Sequence, residues 1–306
     1  SVTIIHHENV STRINSVKHS AYFLKAQKAF RSKWESKLRK TRYVREIGWH
    51  SILNFPTGYG ISSRELVCAL DRQGVHVAYK YVYGPGTVFP REVPEQSGSD
   101  LVDVIRKRKL DKRRVQVVYA QGDVFRSNFG RYRIGFTMLE TDRIPAEWVR
   151  QANSMDEVWV PSTFNAATFR ASGVERPIYV IPLGVDPNYF NPRIRAHRIG
   201  GVFTFLSIFE WGERKAPEVL LRAFNEEFLA SEPVVLIAKV LNVDPGVDVR
   251  ANVAALDLKP DGGRIHISLN QVIPTYQLGS LYCSADCFVL PTRGEGWGMP
   301  IIEAMA

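Results

Sequence analysis

Short apolar runs alternate with longer amphipathic stretches over most of the chain. Residues 47–53, 75–79, 115–119, 133–138 and 157–161 are strand-like, and each is flanked by helical or loop segments. Between the first two lies a helical stretch with Leu66, Val67, Ala69 and Leu70 as its apolar stripe, broken by Gly74. The alternation restarts at Phe203 with a strand over 203–208. Pro217 then opens a helix with Val219, Leu220, Ala223 and Phe224 on its apolar face. Strands over 233–240 and 264–267, a helix over 276–283 and a strand over 286–290 follow. Residues 84–100, rich in Gly, Pro and Ser, are expected to form an irregular loop. Repeated βα alternation predicts an α/β protein with two Rossmann-like, doubly wound sheets. The expected division is a basic extension over 1–47, a first domain over 48–184 and a second over 185–306. Pro182 and Gly184 punctuate the crossing.

At 306 residues the chain can bury two cores. Its 45% hydrophobic and 23% charged residues are those of a soluble globular protein. No apolar run approaches the ~20 residues needed to cross a bilayer, and no secretory apolar region follows Ser1. Three cysteines, Cys68, Cys283 and Cys287, are too few and too unevenly spaced for a disulfide framework or a zinc site. They point to a reducing, cytoplasmic setting, as small buried hydrophobes. The net charge of +9 is concentrated: residues 1–50 hold eleven Lys and Arg against three acids. Phe23, Phe30, Trp34 and Leu38 can share one face of a basic helix there. Residues 20–45 can therefore lie on an anionic membrane face, or form a solvated basic helix packed on its own domain. No nucleic-acid-binding motif accompanies the charge, so no nucleic-acid partner is expected.

The densest chemistry is in the last dozen residues, Glu295-Gly296-Trp297-Gly298-Met299-Pro300-Ile301-Ile302-Glu303. After the short strand just upstream they form a glycine loop and a helix, with Glu295 before the helix and Glu303 about a turn inside it. Loop amides suit a phosphate or polar sugar, and carboxylates so placed can accept hydrogen bonds from sugar hydroxyls. Arg214 and Lys215, in the first loop of the second domain, supply fixed positive charge for a diphosphate; a solvated basic pair is the plainer reading. A glycine-bearing turn, Gly58-Tyr59-Gly60, follows the first strand. Position 63 is Ser, so the full dinucleotide fingerprint is missing, and Tyr79-Lys80-Tyr81 offers no ribose-binding acid for a nicotinamide enzyme. Glu140 and Asp142 follow a predicted strand end and are candidates for acceptor contact, with a helix cap by Asp142 as the alternative. No Asp-x-Asp, His-Glu-x-x-His or Gly-x-Ser-x-Gly occurs, so no metal ligand is proposed and protease and esterase readings lack support.

Together with the preceding Pro-Thr-Arg-Gly, the Glu295–Glu303 segment resembles the Glu-x7-Glu signature of retaining GT-B glycosyltransferases of family 4 (glycosyltransferase group 1). The resemblance spans about residues 48–306 and is sharpest over 156–186 and 203–306. It implies transfer, with retention, of a hexose-type sugar from a nucleoside-diphosphate sugar to a glycan, lipid or protein acceptor, without a cofactor or metal. It further implies Glu295, Lys215 and Arg214 in catalysis. Glu303 would meet the ribose, and Gly296, Trp297, Gly298, Met299, Gly58, Tyr59 and Gly60 would line the donor site. The chain departs from the family at three places. Phe209 stands where relatives carry an Arg. Gln121 or Asp123 stands where many carry a His. Ala306 falls inside the signature helix, so an incomplete second domain is expected. A non-catalytic sugar-nucleotide or glycan-binding module is the alternative function.

Overall fold

The computed structural model describes residues 24–30, 32–33, 42–53, 57–82, 101–196, 198–242 and 244–306. The first unit is built from β1 (Arg45–Ser51), α1 (Gly58–Arg72), β2 (Val75–Tyr81), α2 (Leu101–Arg106), β3 (Val115–Tyr119) and β4 (Tyr132–Phe136). It continues with α3 (Ala146–Asn153), β5 (Glu157–Val160), α4 (Thr163–Ala171) and β6 (Ile178–Val180). The strands form one parallel sheet in the order β2-β1-β3-β4-β5-β6. Strand side chains alternate between two buried faces, as a parallel sheet covered on both sides requires. Val117 and Tyr119 pack with Trp49, Val77 and Phe136 beneath α1 and α2. Val118 lies with Val158, Val160, Trp148 and Phe169 in the opposite cluster.

The second unit holds β7 (Phe203–Glu210), a 3₁₀ turn at Glu213–Lys215, α5 (Pro217–Glu227), β8 (Val234–Leu241), α6 (Val249–Ala254) and β9 (Arg264–Leu269). It ends with α7 (Thr275–Cys283), β10 (Cys287–Phe288) and α8 (Met299–Met305). Its sheet is also parallel, in the order β10-β7-β8-β9. Residues 181–202 join the units without helix or strand among those described.

Three expectations shift. On α1 the inward stripe is Val67 and Cys68 with Ser62, Ser63 and Asp71, while Ala69 is exposed. The buried polar groups are paired: Trp49 Nε1 donates to Ser63 Oγ (2.8 Å), and Asp71 accepts from Arg42 (2.7 Å) and Arg108 (2.6 Å). An apolar pattern cannot show such burial. On α5, Val219 is 48% exposed and Ala223 also faces out; Pro217, Leu220, Leu221 and Phe224 face the core. The strand expected over 286–290 shortens to the two residues of β10, because only Cys287 and Phe288 are in register with β7.

All three cysteines are free thiols; Cys68 is buried, and Cys283 and Cys287 are half-buried. Residues 24–30 and 32–33 are helical, with Phe30 57% exposed. Phe23, Trp34, Leu38 and the expected loop over 84–100 lie outside the described residues. No helix among the described residues is long and apolar enough to cross a membrane.

Candidate active site between the two sheets

Gly298 makes the loop after β10 possible. It caps α8 with φ of 82°, a left-handed backbone that glycine adopts without a Cβ clash. The amides of Gly296, Trp297, Gly298 and Met299 donate to no acceptor among the described residues. Glu295, just before them, is 17% exposed and forms an ion pair with Lys215 Nζ, itself 11% exposed. Arg214 stands over this pair. Its Nη1 donates to Gly294 O (2.7 Å) and lies 3.6 Å from Glu295 Oε2 and 3.3 Å from Glu140 Oε1. Lys215 is thus largely withdrawn from solvent, and Arg214, though 45% exposed, is paired rather than free. Their placement before α5, unfavourable toward the helix dipole, is matched by carboxylates from two other loops.

Those loops are strapped together. Arg293 N donates to Arg214 O (2.8 Å), and Thr292 Oγ1 donates to the same carbonyl (3.2 Å). The Arg293 guanidinium donates to Glu213 O (2.5 Å) and to Glu218 Oε1 at the start of α5 (2.6 Å). Sequence reading used Thr292 and Arg293 only as part of the Pro-Thr-Arg-Gly stretch and gave neither a role. Their partners are about 80 residues away, and only the adjacency of β10 and β7 brings them close.

The first unit contributes the loop after β4. Glu140 reaches Arg214, and a Cβ placed on Gly294 would sit 3.1 Å from Glu140 Cβ. A Cβ on Gly296 would meet Met138 Cγ at 2.7 Å, so glycine permits the two units to approach here. Gly58, Tyr59 and Gly60 do not form a loop but the first turn of α1, capped by Thr57, whose Oγ1 accepts from Gly60 N (3.2 Å). The Tyr59 hydroxyl is engaged inward, accepting from Met138 N (3.3 Å) and hydrogen bonded to Thr137 Oγ1 (3.1 Å). A side chain at Gly58 would meet nothing within 4 Å, so this turn borders open space. The side chains of Trp297 and Met299 pack against the core of the first sheet, making them interface anchors that the sequence did not reveal.

Glu303 is 8% exposed on α8 and accepts a hydrogen bond from Tyr282 (2.7 Å). Burial pushes its carboxyl up to about 7, against the pull of that hydrogen bond. Burial and the nearby Glu303 charge together raise the Tyr282 phenol well above its ordinary value. Glu303 and Met299 line a mainly apolar, half-open cavity of about 310 Å³, together with Ser62 and Leu66 of α1 and Leu183 and Tyr189 of the crossing segment.

The remaining candidates stand apart. Asp142 is exposed, and α3 is capped by Pro145 without a side-chain bond, so Asp142 is not the cap. Gln121 is exposed after β3, and Asp123 lies in a 3₁₀ turn over 122–127 with its Oδ1 buried and unpaired. Neither is hydrogen bonded to the Glu295 loop among the described residues. Phe209, at the departure from the family's Arg, is buried in β7. No three His, Cys, Asp or Glu side chains gather as a metal site among the described residues.

Residues 200–306, the segment carrying Arg214, Lys215, Glu295 and Glu303, match the model of the family described as Glycosyl transferases group 1. Solved structures match across both sheets. The E. coli trehalose-6-phosphate structure bound with UDP-2-fluoro glucose is 10% identical, with a TM-score of 0.59 over 85% of this chain and 81% of that one. The alpha,alpha-trehalose 6-phosphate synthase of Burkholderia multivorans is 11% identical, with a TM-score of 0.56 over 85% and 80%. A trehalose-6-phosphate synthase structure described for glycosyltransfer with retention is 11% identical, with a TM-score of 0.56 over 84% and 80%. The fold is GT-B. No curated protein sequence matches the chain. The likeness to the solved structures shows the fold, and the family match covers the segment that carries the Glu295 loop.

Proposed function

We propose that this chain is a glycosyltransferase that moves a hexose-type sugar from a nucleoside-diphosphate sugar to an acceptor, with retention and without a metal. The observation that carries the reading is the cluster of Arg214, Lys215 and Glu295, closed from the other sheet by Glu140. Two cations beside four unpaired loop amides are what a diphosphate leaving group needs, because charge develops on its oxygens as the sugar–phosphate bond breaks. The positive charge there is carried by side chains, and this supports a metal-independent reaction. Arriving phosphates would compete with Glu140 and Glu295 for Arg214 and Lys215. Glu295, released from Lys215, would then be free to accept hydrogen bonds from the transferred sugar. Glu303 and its cavity are assigned to the nucleoside, the carboxyl meeting the ribose hydroxyls. Glu140 is the first-unit residue assigned to the acceptor side. The UDP-2-fluoro glucose in the E. coli neighbour supports a nucleotide-sugar donor, and the description of glycosyltransfer with retention for another neighbour supports the stereochemistry. The acceptor class stays open among glycan, lipid and protein, and the proposed location is the cytoplasm.

Thermal-shift titration with UDP, GDP, ADP and their sugar conjugates, with and without magnesium, tests the donor. A magnesium-independent rise in midpoint for one nucleotide family is expected, because a ligand binding only the native state stabilises it by mass action. Glu295→Ala and Lys215→Ala should each abolish sugar transfer while the fold, read by circular dichroism, survives. Wild-type turnover in either variant would overturn the site. Nucleotide binding by the intact chain without turnover toward any acceptor would favour the binding-module alternative.

A further inference from the structure

The end of the first sheet opposite the candidate site carries a second concentration of charge. Seven of the nine residues from Arg106 to Arg114 are Lys or Arg. Two of these turn inward: Arg108 is bound by buried Asp71, and Arg106 lies over the Tyr79 ring. Lys107, Lys109, Lys112, Arg113 and Arg114 are exposed. Arg131 joins them, since its amide donates to Arg114 O (3.1 Å). The acids at this pole, Glu46, Asp111, Asp156 and Glu157, engage Arg114, Arg113, Arg133 and Tyr132 and still leave a cationic excess. All these segments lie where β1, β3 and β4 begin. The loops of the candidate site lie where the strands end, about 17 Å away for a five-residue strand.

We propose that this pole is a docking surface for a membrane face rich in anionic lipid, holding the enzyme peripherally with its cleft open to solution. Three observations favour a bilayer over a nucleic acid. Exposed apolar side chains interleave with the cations: Val44 is 82% exposed, and Val115 and its register partner Tyr132 are 36% and 41% exposed. Such a mixture suits the boundary between headgroups and acyl chains. Phe129, 38% exposed beside the patch, has Lys80 Nζ 4.3 Å and Lys112 Nζ 5.5 Å from its centroid, and His50 packs edge-on against it at 5.2 Å. It is therefore not free to stack on a base. Finally, residues 42–44 lie at this same pole, where Val44 N donates to Gly74 O (3.1 Å) and Arg42 is held by Asp71. The surface is independent of the donor chemistry and stands whatever sugar is transferred.

Co-sedimentation of the full chain with vesicles tests the proposal at 0.15 M salt. One set is pure phosphatidylcholine and the other contains one third phosphatidylserine. Binding is expected only to the second, and 0.5 M salt should release it. The variant Lys107→Gln/Lys109→Gln/Lys112→Gln/Arg113→Gln should bind at least about a hundredfold more weakly, since each cation near such a surface contributes roughly fivefold. All four side chains are exposed, so the variant should keep its melting midpoint. Were it to unfold, the pair Lys112→Gln/Arg113→Gln, with about a 25-fold loss expected, replaces it. Equal binding to neutral vesicles, no binding by the wild type, or unchanged binding by the variants would overturn the proposal. So would tighter binding of a single-stranded oligonucleotide than of anionic vesicles at the same salt.

Discussion

Glu303 ties the cavity beside α8 to pH, because burial outweighs the opposing hydrogen bond from Tyr282. Its folded-state value of about 7 lies above the ordinary 4.5, so between these values the native state binds a proton that the unfolded chain does not. The stabilisation from that proton is complete below pH 4.5 and is lost as pH rises through 7. His50 acts in the opposite sense: burial lowers it to about 4, so its contribution is lost as pH falls below 6.5. The informative quantity is thus the difference between wild type and Glu303→Gln, in which His50 cancels. Denaturant unfolding at several pH values should show the wild type losing stability relative to the variant between pH 4.5 and 7.5. Parallel curves would mean that Glu303 titrates normally and is open to water.

At the level of elements, the site depends on two loops crossing. The turn before α5 presents Arg214 and Lys215; the loop before α8 presents Glu295 and four amides without an acceptor among the described residues. Arg293 bridges them through Glu213 O and Glu218. The Arg293 side chain is 48% exposed, so its ion pair adds less than about 1 kcal/mol to stability. Its effect should fall on geometry. Arg293→Ala is expected to lower kcat/KM for the donor roughly ten- to hundredfold, with a nearly unchanged unfolding midpoint. Arg293→Lys should recover part of the loss. A variant that loses stability in proportion to activity would instead make Arg293 a plain structural residue.

At the scale of the whole molecule, contacts of two different characters join the units among the described residues. Glu140–Arg214 is a partly exposed ion pair, whereas Trp297 and Met299 insert apolar surface against the first sheet's core. Magnitudes separate them. Glu140→Gln should cost less than about 1 kcal/mol. Trp297→Ala, which removes a large partly buried ring, should cost on the order of 2–3 kcal/mol. Chemical denaturation read by tryptophan fluorescence and circular dichroism checks both values. The reverse ranking would mean that charge, not apolar contact, holds the units together.

The βα alternation, the two parallel sheets and the strand–loop–helix around Glu295 were all legible in the sequence. They rest on local periodicity and on the backbone demands of glycine and proline, which act over a few residues. Local pattern misled where polar side chains were buried with partners, as on α1 with Ser63 and Asp71, and where a helix turned Val219 outward. It was silent on every pairing that spans tens of residues: Lys215 with Glu295, Arg214 with Glu140, Tyr282 with Glu303, Asp71 with Arg42 and Arg108. Composition drew the eye to the charge before residue 50. Only folding placed a second basic run, 106–114, at the pole where residues 42–44 enter the first sheet. Such contacts depend on strand order and on how two sheets approach, and these follow from burying apolar surface across the whole chain, which no single segment encodes.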